Sequence, residues 1–246
     1  MRMAGNAALS ARFPALLAEG ADSRVALGPA DLDAALGGGL DRRRLHEIVP
    51  MGGVFQLGAA AGFACALAGM AERGAIVWIQ QRLATLEGGA PYGLGSALFG
   101  IPASRWLLVQ TVTAKDTLWA MEESLRSAGV GAVIAELSGA GEAADLTATR
   151  RLNLVLQERP GLGLLLRQQS LSGTSACATR WRVTARNGRG DGLGGLGATA
   201  FALTLEKNRS GPCGAWDVEW DSHDGRFAAL PVAVAAAVQH RPYRAA

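Results

Sequence analysis

Between residues 44 and 167 short apolar runs alternate with helix-length amphipathic segments. Arg44-Leu45-His46-Glu47-Ile48-Val49 leads into a glycine turn and a small-residue helix over 58–73. Ala75-Ile76-Val77-Trp78-Ile79 then reads as a second strand and Trp106-Leu107-Leu108-Val109 as a third. Over 115–128, Leu118, Met121, Leu125 and Ala128 recur at spacings of three and four, which lines one face of a helix. Strand Val130 to Ala135 follows, then a helix that starts at Asp145, its N-cap, and runs to about Glu158, then strand Leu162 to Leu166. Strands fed by helices in this order make right-handed crossovers and a mostly parallel sheet covered on both faces. The pattern changes after 178, where three β-rich runs, Thr179 to Ala185, Thr199 to Glu206 and Ala215 to Trp220, are separated by turn-rich segments such as 187–192. These predict hairpin-like antiparallel strands that extend the sheet on its C-terminal side.

The ends depart from this rhythm and set the expected organisation: an extension over 1–26, a core over 27–227 and a tail over 228–246. A helix over roughly 7–19, interrupted by Pro14, carries Leu9, Phe13, Leu16 and Leu17 on one side. Pro29 opens a short helix that runs through Leu36 and is stopped by Gly37-Gly38-Gly39. In the tail, Val232, Val234 and Val238 lie beside His240, Arg241 and Arg244. Each end either packs on its own sheet or contacts a partner; Leu9, Phe13, Leu16, Leu17, Val234, Val238 and Arg241 are the candidate partner residues.

A chain of 246 residues, 49% hydrophobic and 18% charged, supports one large core and excludes disorder throughout. Its net charge of +3 gives a weak field that permits nucleic-acid contact without demanding it. Cys65, Cys177 and Cys213 are far apart and only three histidines accompany them, which argues for reduced thiols in a cytosolic protein and against a zinc site or disulfides. The N-terminus lacks the apolar run of a signal peptide, and the longest apolar stretch, Leu57 to Ala71, is short and made mainly of Ala and Gly, so no membrane span is expected. Most consequential is that Lys115 and Lys207 are the only lysines.

That scarcity bears on the glycine turn. A phosphate-binding loop needs G-x-x-x-x-G-K-[ST] between a strand and a helix: backbone N–H groups curl round the phosphates, Lys neutralises charge and the hydroxyl holds Mg²⁺. Here Gly53 and Gly58 are correctly spaced in that setting, but Ala59 stands where Lys belongs and Ala60 where Ser or Thr belongs. A glycine pair alone is also compatible with a plain structural turn.

The flanks add a family resemblance. Ala30-Asp31-Leu32-Asp33-Ala34-Ala35-Leu36-Gly37-Gly38-Gly39-Leu40, followed by Glu47-Ile48, resembles the "LDxALGGGLxxGxxxEI" entry to the nucleotide-binding core of RecA. On that resemblance Glu136 occupies the Walker B position, where the Mg²⁺-coordinating Asp would be, and Gln80-Gln81 lies where the water-activating carboxylate would be. Further stretches, Leu118 to Ser127, Ala178 to Val183, Leu205 to Arg209 and Gly214 to Trp220, resemble ImuA proteins specifically, over roughly 27–224. The resemblance implies an α/β, RecA-like core in a cytoplasmic protein with scope for association with the nucleoid. It further implies a non-catalytic accessory of error-prone translesion DNA synthesis in the SOS response. Its expected partners are an ImuB-like polymerase homologue, an error-prone replicative-type polymerase, RecA and a second copy of itself. No catalytic residue, cofactor or metal is expected. Two other readings stay open: a divergent ATPase that binds single-stranded DNA, which would need Lys115 to reach the loop, and a SulA-like cell-division inhibitor.

Arg180, Trp181 and Arg182 match by position the second DNA-binding loop of RecA, and Arg with Trp suits single strands, through phosphate pairing and base stacking. The alternative is a strand that buries Trp181 and leaves the two arginines on the other face. Trp216, Val218 and Trp220 read as the inner face of a half-buried strand, Arg150-Arg151 as a solvated helix face, and Glu136 as a hydrogen-bonding group in preference to a metal ligand.

Overall fold

The computed structural model describes residues 23–230, apart from 72, 139–143, 160, 169–173 and 189–196. Strand β1 (Arg24–Val25) pairs antiparallel with β2 (Leu40–Asp41), and between them lies helix α1 (Ala30–Ala35), with Pro29 at its N-cap. The Asp33 carboxylate accepts from the Leu27 and Gly28 amides at 2.7 and 3.0 Å, which folds the connection back on the helix. The expected alternation of strand and helix then appears as β3 (Leu45–Pro50), α2 (Leu57–Gly69), β4 (Ala75–Gln81), α3 (Arg82–Gly88), α4 (Gly93–Ser96), β5 (Trp106–Thr111), α5 (Ala114–Leu125), β6 (Val130–Leu137), α6 (Leu146–Glu158) and β7 (Leu162–Arg167). The chain ends its described part in β8 (Thr179–Arg186), β9 (Ala200–Asn208), β10 (Gly214–Asp221) and β11 (Arg226–Ala229).

Nine of these strands form one sheet in the order β11-β10-β9-β8-β3-β7-β6-β4-β5. β3, β4, β5, β6 and β7 pair in parallel and β9 and β10 add antiparallel strands, as the sequence predicts, while β11 adds a further antiparallel strand that it does not. β8 joins the two regimes: it runs parallel to β3 and antiparallel to β9. The helices start as their sequences require. The Asp145 carboxylate accepts from the Ala148 amide at 2.8 Å at the head of α6, and Thr113 and Asp116 form a reciprocal capping box at the head of α5.

α2 packs on one face of the sheet, α5 and α6 on the other, so two cores result. α2 is built almost wholly of small residues, and Ala60, Ala64, Ala66 and Ala68 are fully buried, which lets the helix lie close to the strands. Its one large ring, Phe63, meets Trp181, Phe201 and Phe227 at centroid distances of 5.7, 5.9 and 5.5 Å. α5 and α6 present Leu118, Met121, Leu125, Leu152, Val155 and Leu156 to the opposite face. Among the described residues no helix is long and apolar enough to cross a membrane.

Three features of the structure lie outside the sequence reading. The boundary at 227/228 falls inside β11, whose Phe227 is buried in the α2-side core, so the sheet ends at Ala229. At the other end, β1 brings residues 24–25 into regular structure ahead of the expected start at 27. The span 82–96 contains α3 and α4, where Gly and small residues hide any periodic signal. Leu9, Phe13, Leu16, Leu17, Val234, Val238 and Arg241 lie outside the described residues.

Candidate functional site

The turn after β3 leaves the sheet where the Met51 amide donates to the Val183 carbonyl at 2.8 Å. Gly52 and Gly53 have φ of 102° and 80°, a left-handed path that only glycine follows freely, and a 3-10 turn, Val54–Gln56, runs directly into α2. Gln56 Oε1 accepts from the Ala185 amide at 3.0 Å, which ties the turn to β8. The setting is thus strand, glycine turn, helix, at the carboxyl edge of a parallel sheet where α/β proteins commonly bind ligands. The side chains are unsuited to a nucleotide. Ala59 and Ala60 bring no cation and no hydroxyl, Gly58 has open space where a Cβ would stand, and the turn projects Val54 and Phe55, 55% and 94% exposed. Lys115 heads α5 on the opposite face of the sheet and does not line this region. The residues present do not fit a magnesium-bound triphosphate.

What the turn borders is a cleft of about 1190 Å³. Trp78, Gln80 and Glu136 form part of its lining, with Phe99, Trp106 and Leu108 beside them and Phe55, Tyr92 and Leu98 among the exposed residues. The basic Arg186 also lines it, but its guanidinium makes two hydrogen bonds to the Asp217 carboxylate, at 3.0 and 2.6 Å.

Glu136, 3% exposed, is held by neutral donors: Trp78 Nε1 at 3.3 Å and Gln168 Nε2 at 3.1 Å, with the Gln80 side chain also bonded to it. Burial pushes its carboxyl pKa above the usual range, and these donors only partly oppose the shift. Gln80 donates to the Gly89 carbonyl at 3.0 Å and accepts from the Thr85 hydroxyl at 3.0 Å; Gln81 accepts from the Ser138 amide and hydroxyl at 2.9 and 2.8 Å. Both amides fix loops, and neither is a base. Among the described residues no group of three His, Cys, Asp or Glu side chains gathers to hold a metal.

On the other face of the sheet lies a buried ionic centre that sequence reading missed. Glu47, 1% exposed, is ion-paired to Arg167 and to Arg180 Nε at 2.7 Å, and accepts from the Ser175 hydroxyl at 3.2 Å. Lys207 Nζ donates to the Ser175 carbonyl at 2.5 Å; burial, with Arg209 nearby, lowers its pKa. The one available signal was Arg167 closing an otherwise apolar strand, Leu162 to Leu166, in register beside Glu47's own apolar run.

This arrangement corrects the single-strand candidate. Trp181 is fully buried against Phe63, so its ring is closed to a base; the strand alternation wins because the α2-side core needs a large group there. Arg180 is engaged by Glu47, and Arg182 pairs with Glu206 at 2.6 Å. Trp216, Val218 and Trp220 do face the core, with Val218 fully buried. Arg150 and Arg151 are exposed on α6, and Arg151 reaches across to Glu122 at 2.5 Å.

No protein-family profile matches the chain. Two proteins named Protein ImuA, from two strains of Caulobacter vibrioides, are each 34% identical to it over 208 residues, covering 78% of this chain and 81% of theirs.

Proposed function

Since the chain belongs to the ImuA family of damage-induced mutagenesis proteins, we propose that it serves error-prone translesion DNA synthesis as a non-catalytic accessory. It recruits or organises an ImuB-like partner, an error-prone polymerase and RecA. The observation that carries this reading is the phosphate turn: Ala59 and Ala60 replace the cation and the hydroxyl, and Val54 and Phe55 project from the turn itself. A turn with apolar tips suits protein contact better than phosphate. The neutral donors round Glu136 and the loop-fixing roles of Gln80 and Gln81 support the same conclusion, since none of them is free to polarise water.

Two measurements test it together. A nucleotide at 100 times its dissociation constant stabilises a fold by about 2.7 kcal/mol, so Mg-ATP should leave thermal unfolding unchanged, and a reproducible upward shift would restore the ATPase reading. Pull-down of the full chain should capture the ImuB-like partner, and capture of a tubulin-like division protein in its place would favour the SulA-like reading.

A further inference from the structure

The cleft holds an acid that its own described walls do not neutralise. Among the described residues that line it only Glu136 and Arg186 are charged, and the Arg186 guanidinium is engaged by Asp217 at 3.0 and 2.6 Å. Glu136 accepts from Trp78, Gln168 and Gln80, all neutral donors, and among the described residues no arginine, lysine or histidine bonds to it. A carboxylate offers about four acceptor positions, so a further donor has a place. In the same sheet the buried Glu47 is ion-paired to Arg167 and Arg180. Glu136 lacks that complement, and a buried acid without one is costly in its charged form.

The walls narrow the chemistry that fits. Trp78 and Trp106 line the cleft with ring centroids 5.9 Å apart, and Val54, Phe55, Tyr92 and Leu98 line it while largely exposed. An anion would be repelled by Glu136, a wholly apolar segment would leave the acid unanswered, and a metal ion would find no group of three acidic, His or Cys side chains among the described residues. A cation answers the acid, and of the two cationic side chains the guanidinium suits these walls better. It is less strongly hydrated than an ammonium, lies flat on an indole face and donates from its edge. Glu136 is 3% exposed, so its visitor must be long and slender, and the methylene stem of an arginine can lie along apolar walls. The exposed apolar residues around the cleft call for a carrier broad enough to cover them together, which a protein surface is and a free ion is not. We infer that the cleft receives an arginine side chain of the protein partner this chain recruits, its guanidinium donating to Glu136 against the rings of Trp78 and Trp106. This contact, which rests on the accessory role proposed above, gives Glu136 the counter-charge that Arg167 and Arg180 give Glu47.

Titration calorimetry on the full chain tests the contact with two probes, N-benzoyl-arginine amide and N-benzoyl-citrulline amide, the second carrying a neutral urea of the same shape in place of the guanidinium. The arginine probe should bind at least about tenfold more tightly, the size of one charge-assisted hydrogen bond. Glu136→Gln should bring the arginine probe to the affinity of the citrulline probe, and the wild-type comparison stands even if that variant fails to fold. Equal affinities in wild type, an arginine preference that survives in folded Glu136→Gln, or no binding of either probe would each overturn the inference. Pull-down then separates the contact from the role it rests on. Wild type should capture the ImuB-like partner, and Glu136→Gln should capture it at least about tenfold more weakly. Undiminished capture by Glu136→Gln would overturn the contact and leave the accessory role standing. No capture by wild type, with the arginine preference intact, would overturn that role while the guanidinium specificity of the cleft stands.

Discussion

Glu47 and Glu136 are 1% and 3% exposed, sit on strands of one sheet, and face opposite sides of it. Glu47 is clasped by two guanidiniums, whereas the donors to Glu136 are a tryptophan N–H and side-chain amides, all neutral. The first arrangement joins β3, β7 and β8 and the segment at Ser175 through charge; the second borders a cleft and carries a carboxyl that burial pushes towards its neutral form. What separates them is whether arginine reaches the same pocket. An acid with its counter-charges present acts as a structural rivet, and one without them is tolerated only because its protonated form is within reach.

The largest test of this contrast is Glu47→Ala. It strands Arg167, 6% exposed, and Arg180, 18% exposed, without their acid, and breaking a buried pair in this way costs about 3–5 kcal/mol. Denaturant unfolding should show that loss, and a cost below about 1 kcal/mol would mean the charges are not mutually dependent. Replacing all three together by Leu and Met should recover most of the stability, since well-packed apolar groups commonly substitute for a buried ionic set.

Acid supplies the next test, and it must be separated by sign. His46, next to Glu47 in β3, is buried with its ring bonded to the Thr179 hydroxyl and the Asp41 carbonyl, both at 2.8 Å. Burial lowers its pKa from 6.5 to about 4. A lowered histidine contributes stability that is complete above pH 6.5 and is lost as pH falls through 6.5 towards about 4; the gap corresponds to about 3 kcal/mol. Chemical unfolding at stepwise pH should show this fall in wild type and lose most of it in His46→Gln. An unchanged acid limb in that variant would assign the loss to other groups.

The frame was legible where periodicity repeats locally. The run from Leu118 to Leu125 and the cap at Asp145 each mark their helix within a few residues, and the β3-turn-α2 unit announces both a phosphate-type loop and the loss of its lysine. β11 was not legible, because four residues opening on Arg226 carry no alternation long enough to read. Nor was the ionic centre, since Glu47 and Arg180 are 133 positions apart and meet only through the β3–β8 pairing. Trp181 was ambiguous for a definite reason: one residue of strand phase decides between a stacking ring and a core ring, and Phe63 on α2 settles the phase. The cleft itself depends on Tyr92, Phe99 and Trp106, contributed by the α3–β5 span where sequence gives little pattern.

The smallest expected effect belongs to Glu136, and its sign opposes that of the other two. Its folded carboxyl has a pKa above the unfolded value, so the folded state holds the proton more tightly and this group favours folding most at low pH. The contribution is complete below the ordinary carboxyl range and declines as pH rises through the raised value, leaving a mild penalty at neutral pH. Glu136→Gln keeps a side chain of similar shape and carries no charge to desolvate, but Trp78 Nε1 and Gln168 Nε2 bond separate carboxylate oxygens, so its single amide oxygen accepts from only one of them. At pH 7 the variant should stay within about 1 kcal/mol of wild type, because the charge it no longer buries offsets the one hydrogen bond it loses, and its stability relative to wild type should fall as pH falls, because the wild-type carboxyl is then neutral too. The His46 loss must appear equally in both proteins, so subtracting one stability curve from the other isolates Glu136. A Glu136→Gln protein clearly less stable at pH 7 would show that the ionised form is the one the fold favours. Glu136 would then have a counter-charge like that of Glu47, and the contrast between the two acids would collapse.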